Sequence, residues 1–185
     1  MKINKNGYWE EICNHHTDYG LLESLVSISN DMNSFVDFGC GDASYIREIL
    51  SKNPNKDLRV RAFDGNPNVS IITKGIGEQL DLSQPFNLNE TFEVVISLEV
   101  AEHIPKEFED IYIENITKHS SKYIIISWAV PGQGGKGHVN EQSNEYVLNL
   151  FKQLAYTHEE EITQYLRNSI TNCSWFRNTL FVFKK

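Results

Sequence analysis

Five groups of residues suited to ligand binding or proton transfer follow apolar runs in this sequence. The first is Asp37-Phe38-Gly39-Cys40-Gly41, after Ser34-Phe35-Val36. Glycines at a strand-to-helix turn permit a tight bend and a close approach of backbone to ligand. The third glycine of a dinucleotide fingerprint would fall at Ser44, so a ligand without a pyrophosphate is expected. Asp64 stands 25 residues past Gly39, where a carboxylate can accept both hydroxyls of a ribose; its plainer role is to cap the turn Gly65-Asn66. Asp81 can accept from an adenine amino group, with the Leu82 backbone amide beside it, or it is a solvated turn residue.

Two histidines could move a proton. His103 closes Glu99-Val100-Ala101-Glu102-His103, and His138 closes the segment that begins at Trp128. An unperturbed imidazole titrates near pH ~6.5, so both are candidate general bases. The alternatives are that His103 packs and holds its loop, and that His138 bonds its own backbone or Asn140. Pro131 to Gly137 carries four glycines in seven residues, which suits a lid over substrate. It lacks the Gly-Lys-Ser/Thr of a phosphate loop. Lys136 within it could meet an anionic acceptor. Tyr8, Trp9, His15 and His16 form an aromatic and imidazole-rich leader. Adjacent histidines make a poor metal pair, so no metal centre is expected. Trp175, Phe176 and Arg177 read as edge packing.

The elements that must position these groups alternate along the chain. Leu21, Leu22, Leu25, Val26 and Ile28 recur at helical spacing behind an Asp18 cap. Strands are expected at 34–38, 58–63, 92–98 and 123–129, with a short segment at 79–82 and a last strand at 179–183. Helices are expected at 43–52, after Pro105, from Ser143, and around 159–170. Strands with unbroken apolar cores between helices predict an α/β, three-layer sandwich around a mostly parallel sheet, with the C-terminal strand antiparallel. Ligands in such sheets bind beyond the carboxyl ends of the strands, near the point where strand order reverses. All five groups fall at those ends.

The 185 residues suffice for one domain: a leader and helix over the site (1–30), a ligand-binding core (34–129) and a Gly-rich rim loop (130–142). A net charge of −8 disfavours nucleic acid as a partner. No apolar run reaches membrane-spanning length, and residues 1–10 lack the apolar core of a secretory signal. Three separated cysteines, Cys13, Cys40 and Cys173, argue against a disulfide framework and for a cytoplasmic location.

Read in order, VDFGCGDASY, FDGNP, LDLSQPF and FEVVISLEVAEHIP resemble the class I S-adenosylmethionine-dependent methyltransferases over Ser34 to Ala129. The resemblance implies a Rossmann-like sheet and S-adenosylmethionine as cofactor. Gly39 and Gly41 would flank its methionine part, with Asp37 towards the amino group. Asp64 would hold the ribose, Asp81 and Leu82 the adenine, and Glu99 with Val100 the methionine side. SWAVPGQGGKGHVNEQ is similar to a loop of a less characterised branch often found with sugar or surface-polysaccharide genes. That likeness implies methyl transfer to a small-molecule or saccharide acceptor, with oxygen preferred. The Asn/Asp-Pro-Pro-Tyr motif of amino-methylating DNA and RNA enzymes is absent. Two other readings stand beside it: a non-catalytic or partner-dependent S-adenosylmethionine-binding module, and a nicotinamide-dependent oxidoreductase. The latter lacks the third glycine and a Tyr-xxx-Lys pair.

Overall fold

The computed structural model describes residues 2–12 and 15–185; Met1, Cys13 and Asn14 lie outside them. The elements run α1 (Tyr19–Ser29), β1 (Ser34–Phe38), α2 (Ser44–Lys52), β2 (Arg59–Asp64), α3 (Val69–Ile72), β3 (Glu78–Gln79) and β4 (Phe92–Ser97). They continue with α4 (Glu109–Lys118), β5 (Ser120–Ser127), α5 (Asn144–Gln153), β6 (Thr157–His158), α6 (Glu160–Ser169), α7 (Phe176–Thr179) and β7 (Leu180–Lys184).

The sheet has seven strands in the order β3-β2-β1-β4-β5-β7-β6. β1 pairs in parallel with β2 and β4, β4 with β5, and β2 with β3. β7 is antiparallel to β5 and β6, as the long connection before it leads one to expect. Strand order reverses between β1 and β4, so the turns after these two strands flank the crevice.

Side chains alternate across a strand, and here that alternation builds two cores. Phe35, Val94, Ile96, Ile125 and Val182 face the layer of α1, α2 and α6. Val36, Phe38, Val95, Ile124, Ile126, Phe181 and Phe183 face the layer of α4 and α5. Both faces being apolar explains why the strands read as continuous hydrophobic runs. The segment around 79–82 shrinks to a two-residue edge pairing because Asp81 turns the chain, its side chain accepting from the backbone N–H of Ser83 at 2.9 Å.

Asp18 caps α1 by accepting the Leu21 N–H at 2.9 Å. The same buried carboxylate accepts the N–H groups of Thr171, Asn172 and Cys173, tying the start of α1 to the α6–α7 connection. Among the described residues no helix is long and apolar enough to cross a membrane. Cys40 and Cys173 are buried free thiols.

Candidate active site

A cavity of about 570 Å³ opens at the carboxyl ends of β1, β2 and β4, within the range of small-ligand sites. Its floor is the turn after β1. Gly39 (φ 87°) and Gly41 (φ 55°) take left-handed conformations that favour glycine. A Cβ on Gly39 would lie 2.2 Å from Val100, and one on Gly41 would lie 2.5 Å from the His15 ring. Only bare backbone fits this cradle.

Three acids surround the cradle. Asp37 is buried in β1, and burial followed by the nearby Asp64 and Asp42 charges pushes its pKa up to about 8. Asp64 ends β2 and accepts the Gly41 N–H at 2.9 Å and the Asn66 N–H at 2.8 Å. Burial raises its pKa, and those two amides offset part of the rise. Asp64 holds the turn, and it also lines the cavity. Asp81 and Leu82 line the wall nearest the leader. One Asp81 oxygen accepts from Ser83, and the other accepts the Asn6 side-chain amide at 2.6 Å.

Leader residues Asn6, Gly7, Tyr8 and Trp9 line the cavity at the strand ends. Ile3 bridges Trp9, and the intervening turn places Gly7 (φ 100°) where a Cβ would stand 2.0 Å from the His103 carbonyl oxygen. Asn66 donates to the Glu11 carbonyl at 2.9 Å, anchoring the leader to the turn after β2. His15 stands over Gly41, whereas His16 meets Trp175 edge-on at 6.2 Å. The edge-packing expectation for Trp175 and Phe176 needs correction: both also line the cavity. The connection into β7 brings Trp175, at the start of α7, against His16 of the leader, a juxtaposition that local sequence does not encode.

The opposite wall follows β4. Glu99 sits at φ 55°, a conformation rare for a residue with a side chain. Its carboxylate accepts Ser127 Oγ at 2.8 Å and Gln133 Nε2 at 3.0 Å. Val100 packs over Gly39. Ala101–His103 form one 3-10 turn that buries Glu102 completely and leaves both its carboxylate oxygens without a hydrogen-bond partner. Burial and the adjacent Glu99 charge hold the Glu102 pKa well above the carboxylate range.

The two histidines meet beside this turn, with ring centroids 5.0 Å apart and nearly perpendicular. His103 Nδ1 lies 3.1 Å from the Gly137 carbonyl, which can only accept, so Nδ1 is the donor and Nε2 is bare. Burial and the facing His138 lower the His103 pKa to about 4, so its ring is neutral at pH 7. His138 Nδ1 lies 3.0 Å from Glu141 Oε1, and its Nε2 lies 4.0 Å from Glu102 Oε1. His138 is therefore paired with Glu141 rather than Asn140. His103 both holds the loop and lines the cavity.

The glycine-rich segment has fixed anchors. Glu141 accepts the N–H groups of Gly132 and Gly134, each at 2.8 Å. The Glu102 carbonyl accepts the N–H groups of Val139 and Asn140 at 2.9 and 3.0 Å. Asn140 in turn donates to buried Glu109, and its carbonyl accepts the Trp128 indole at 2.6 Å. Glu102 and Glu141 are site residues that sequence reading did not single out. Glu141 shares the segment of His138, three positions on, but nothing marks it as a partner until the loop is folded. Against the expectation of no metal centre, the fold also gathers a donor set: one ligand atom each of Glu102, His103 and His138 lies within 4.8 Å of the others.

No known protein-family profile and no curated protein sequence matches the chain. Solved structures do. An O-methyltransferase family protein from Burkholderia thailandensis aligns with a TM-score of 0.66 at 11% identity, over 89% of this chain and 55% of that one. The methyltransferase domain of bacterial CtHen1-C aligns at 0.61 and 14% identity, over 88% of this chain and 95% of that one. Magnesium protoporphyrin IX methyltransferase (ChlM) from Synechocystis PCC 6803, solved with bound SAM, aligns at 0.57 and 12% identity, over 93% and 85%. The chain has the class I methyltransferase fold. It spans little more than half the length of the Burkholderia protein.

Proposed function

We propose that this protein transfers the methyl group of S-adenosylmethionine to an oxygen of a small-molecule or saccharide acceptor. The observation that carries the reading is the convergence of Asp37, Asp64 and Asp81 on one cavity, over a glycine cradle that side chains would fill. In this reading Asp37 meets an ammonium, Asp64 a ribose diol, and Asp81 with Leu82 an adenine edge. Glu99 and Val100 line the side of the cavity next to the cradle. S-adenosylmethionine supplies an electrophilic methyl group on a sulfonium, and the protein's task is alignment and exclusion of water.

The acceptor enters between the leader and the rim loop, where Trp9, His103, His138 and Lys136 face the cavity. An attacking hydroxyl must lose its proton as the carbon–oxygen bond forms. His138 is the stronger candidate to receive it, because its Nδ1–H donates to Glu141 and leaves Nε2 as the acceptor. His103 is neutral and next to it.

The test is calorimetric titration with S-adenosylhomocysteine, beside NADH. Micromolar binding of the thioether alone, weakened at least 100-fold in Asp64→Ala, supports the reading. Binding of NADH instead, or of neither, would sink it. Methyl acceptors are then screened from sugars outward.

A further inference from the structure

We propose that Glu102, His103 and His138 bind one divalent transition-metal ion at the acceptor side of the cavity. Two imidazoles and one carboxylate are a donor set that suits manganese, iron or zinc, with open positions left for other ligands. The donor atoms lie within 4.8 Å of one another. Donors around an ion with bonds of about 2.1 Å stand roughly 3 to 4 Å apart, so a contraction of about 1 Å closes the site.

Three further features point to an ion rather than to a base alone. The Glu102 carboxylate is fully buried, faces His138 Nε2 at 4.0 Å, and has no hydrogen-bond partner on either oxygen. A buried polar group left in that state is costly, and a cation supplies the missing partner. Glu99, three residues before it, lines the same cavity and adds a second carboxylate beside the donors. Both histidines have Nδ1 engaged from behind, His103 by the Gly137 carbonyl and His138 by Glu141. That is how outer partners orient metal-binding imidazoles, with Nε2 as the ligand. A general base requires one histidine; it accounts for neither the bare Nε2 of the second nor the buried carboxylate.

The consequence for chemistry rests on the methyl-transfer reading, although binding itself does not. A cation here would occupy the His138 Nε2 that otherwise serves as the base, and would in its place polarise an acceptor hydroxyl and favour its oxyanion. The oxygen–hydrogen bond then breaks with its proton passing to water, the oxygen–methyl bond forms, and the methyl–sulfur electron pair returns to sulfur.

The experiment uses the chelator-stripped full chain titrated with MnCl2, with free ion followed by electron paramagnetic resonance, and with ZnCl2 by calorimetry. One ion per chain at micromolar affinity is expected. Glu102→Gln and His138→Ala should each weaken it at least 10-fold, whereas Glu114→Gln on the exposed face of α4 should not. Nitrogen hyperfine modulation on the Mn2+ signal of the unmutated chain should report bound imidazole, independently of whether any variant folds. Absence of uptake at millimolar ion, or uptake without imidazole coupling and indifferent to both substitutions, overturns the proposal. S-adenosylhomocysteine is titrated separately. Its binding without ion uptake removes the metal site alone, while ion uptake without its binding supports the metal site and removes the cofactor reading.

Discussion

Replacing Asp37 by Asn should make the ligand-free protein more stable while weakening its cofactor binding. Asp37 is buried with Asp64 and Asp42 nearby, and its pKa stands at about 8 against 3.8 for the free side chain. At pH 7 the unfolded chain has released this proton and the folded chain has kept it. Each pH unit across that gap is worth 1.36 kcal/mol, so the folded state carries a penalty of about 4 kcal/mol at pH 7. The sign follows from the raised pKa. The stability associated with neutral Asp37 is fully present below pH ~4, declines as pH rises through the window, and levels off above pH ~8. An Asn side chain has the same shape and no proton to lose. Urea denaturation at several pH values should therefore give equal stabilities for the two proteins near pH 4. The difference should grow by about 1.36 kcal/mol per unit towards pH 8, and reach a Tm gain of about 8 to 16 °C at pH 7. A pH-independent difference, or a less stable variant at pH 7, would refute the argument that Asp37 is held neutral by its surroundings. Calorimetry on the same variant should show S-adenosylhomocysteine affinity falling at least 10-fold, as the proposed contact of Asp37 with the ligand's ammonium requires.

The cradle, the rim and the leader each yield a further test. Gly39→Ala places a Cβ 2.2 Å from Val100 at a φ of 87°, so thermal denaturation should report a loss of about 2 to 4 kcal/mol, and binding of S-adenosylhomocysteine should disappear. Glu141→Ala removes the acceptor for Gly132, Gly134 and His138 together. Its kcat should fall about 10- to 100-fold with S-adenosylhomocysteine affinity unchanged; a change in affinity instead would show that the rim loop serves the cofactor. Asn6 donates to the Asp81 oxygen that Ser83 leaves open, the place an adenine amine would take. Asn6→Ala removes that competitor, and calorimetry should show S-adenosylhomocysteine bound about five-fold more tightly, the equivalent of about 1 kcal/mol.

The fold was legible because each decisive residue acts locally. Asp18 caps its own helix, Ser143 caps α5 through Tyr146, and the alternation of Phe35 with Val36, or of Ile125 with Ile124 and Ile126, needs only a sheet covered on both faces. The acid cluster at the cavity was legible for the same reason. Asp37, Asp64 and Asp81 each sit at or just past a strand end, and parallel pairing brings those ends to one edge. The rim around His103 and His138 was not, because its partners meet across the chain. Glu141 looks like one more surface acid until the loop turns it back onto Gly132 and His138. Glu102 looks like a solvated residue in a polar stretch until a 3-10 turn buries it. Trp175 reaches the cavity only through the position of α7 beside the leader, and Pro131 to Gly137 reads as a lid although the backbone amides of Gly132 and Gly134 are held by a single carboxylate.

Charge at the cavity argues further for which ligand the fold serves. Asp37, Asp42, Asp64, Asp81 and Glu99 line it, and Lys136 is the single Lys or Arg among the described lining residues. A dinucleotide would bring a pyrophosphate into this field, with neither the third glycine nor a cluster of bases to receive it. A sulfonium with an ammonium nearby brings two positive charges to the same wall. The pKa values of Asp37, Asp64 and Glu99 are all raised by burial, so the empty cavity holds carboxylates that resist ionising, and a cation entering it lets them do so. Binding of a cationic cofactor should therefore release protons, whereas binding of an anionic one should take them up. Calorimetry in two buffers of different ionisation enthalpy measures that sign directly, and it separates the two cofactor classes without reference to any acceptor.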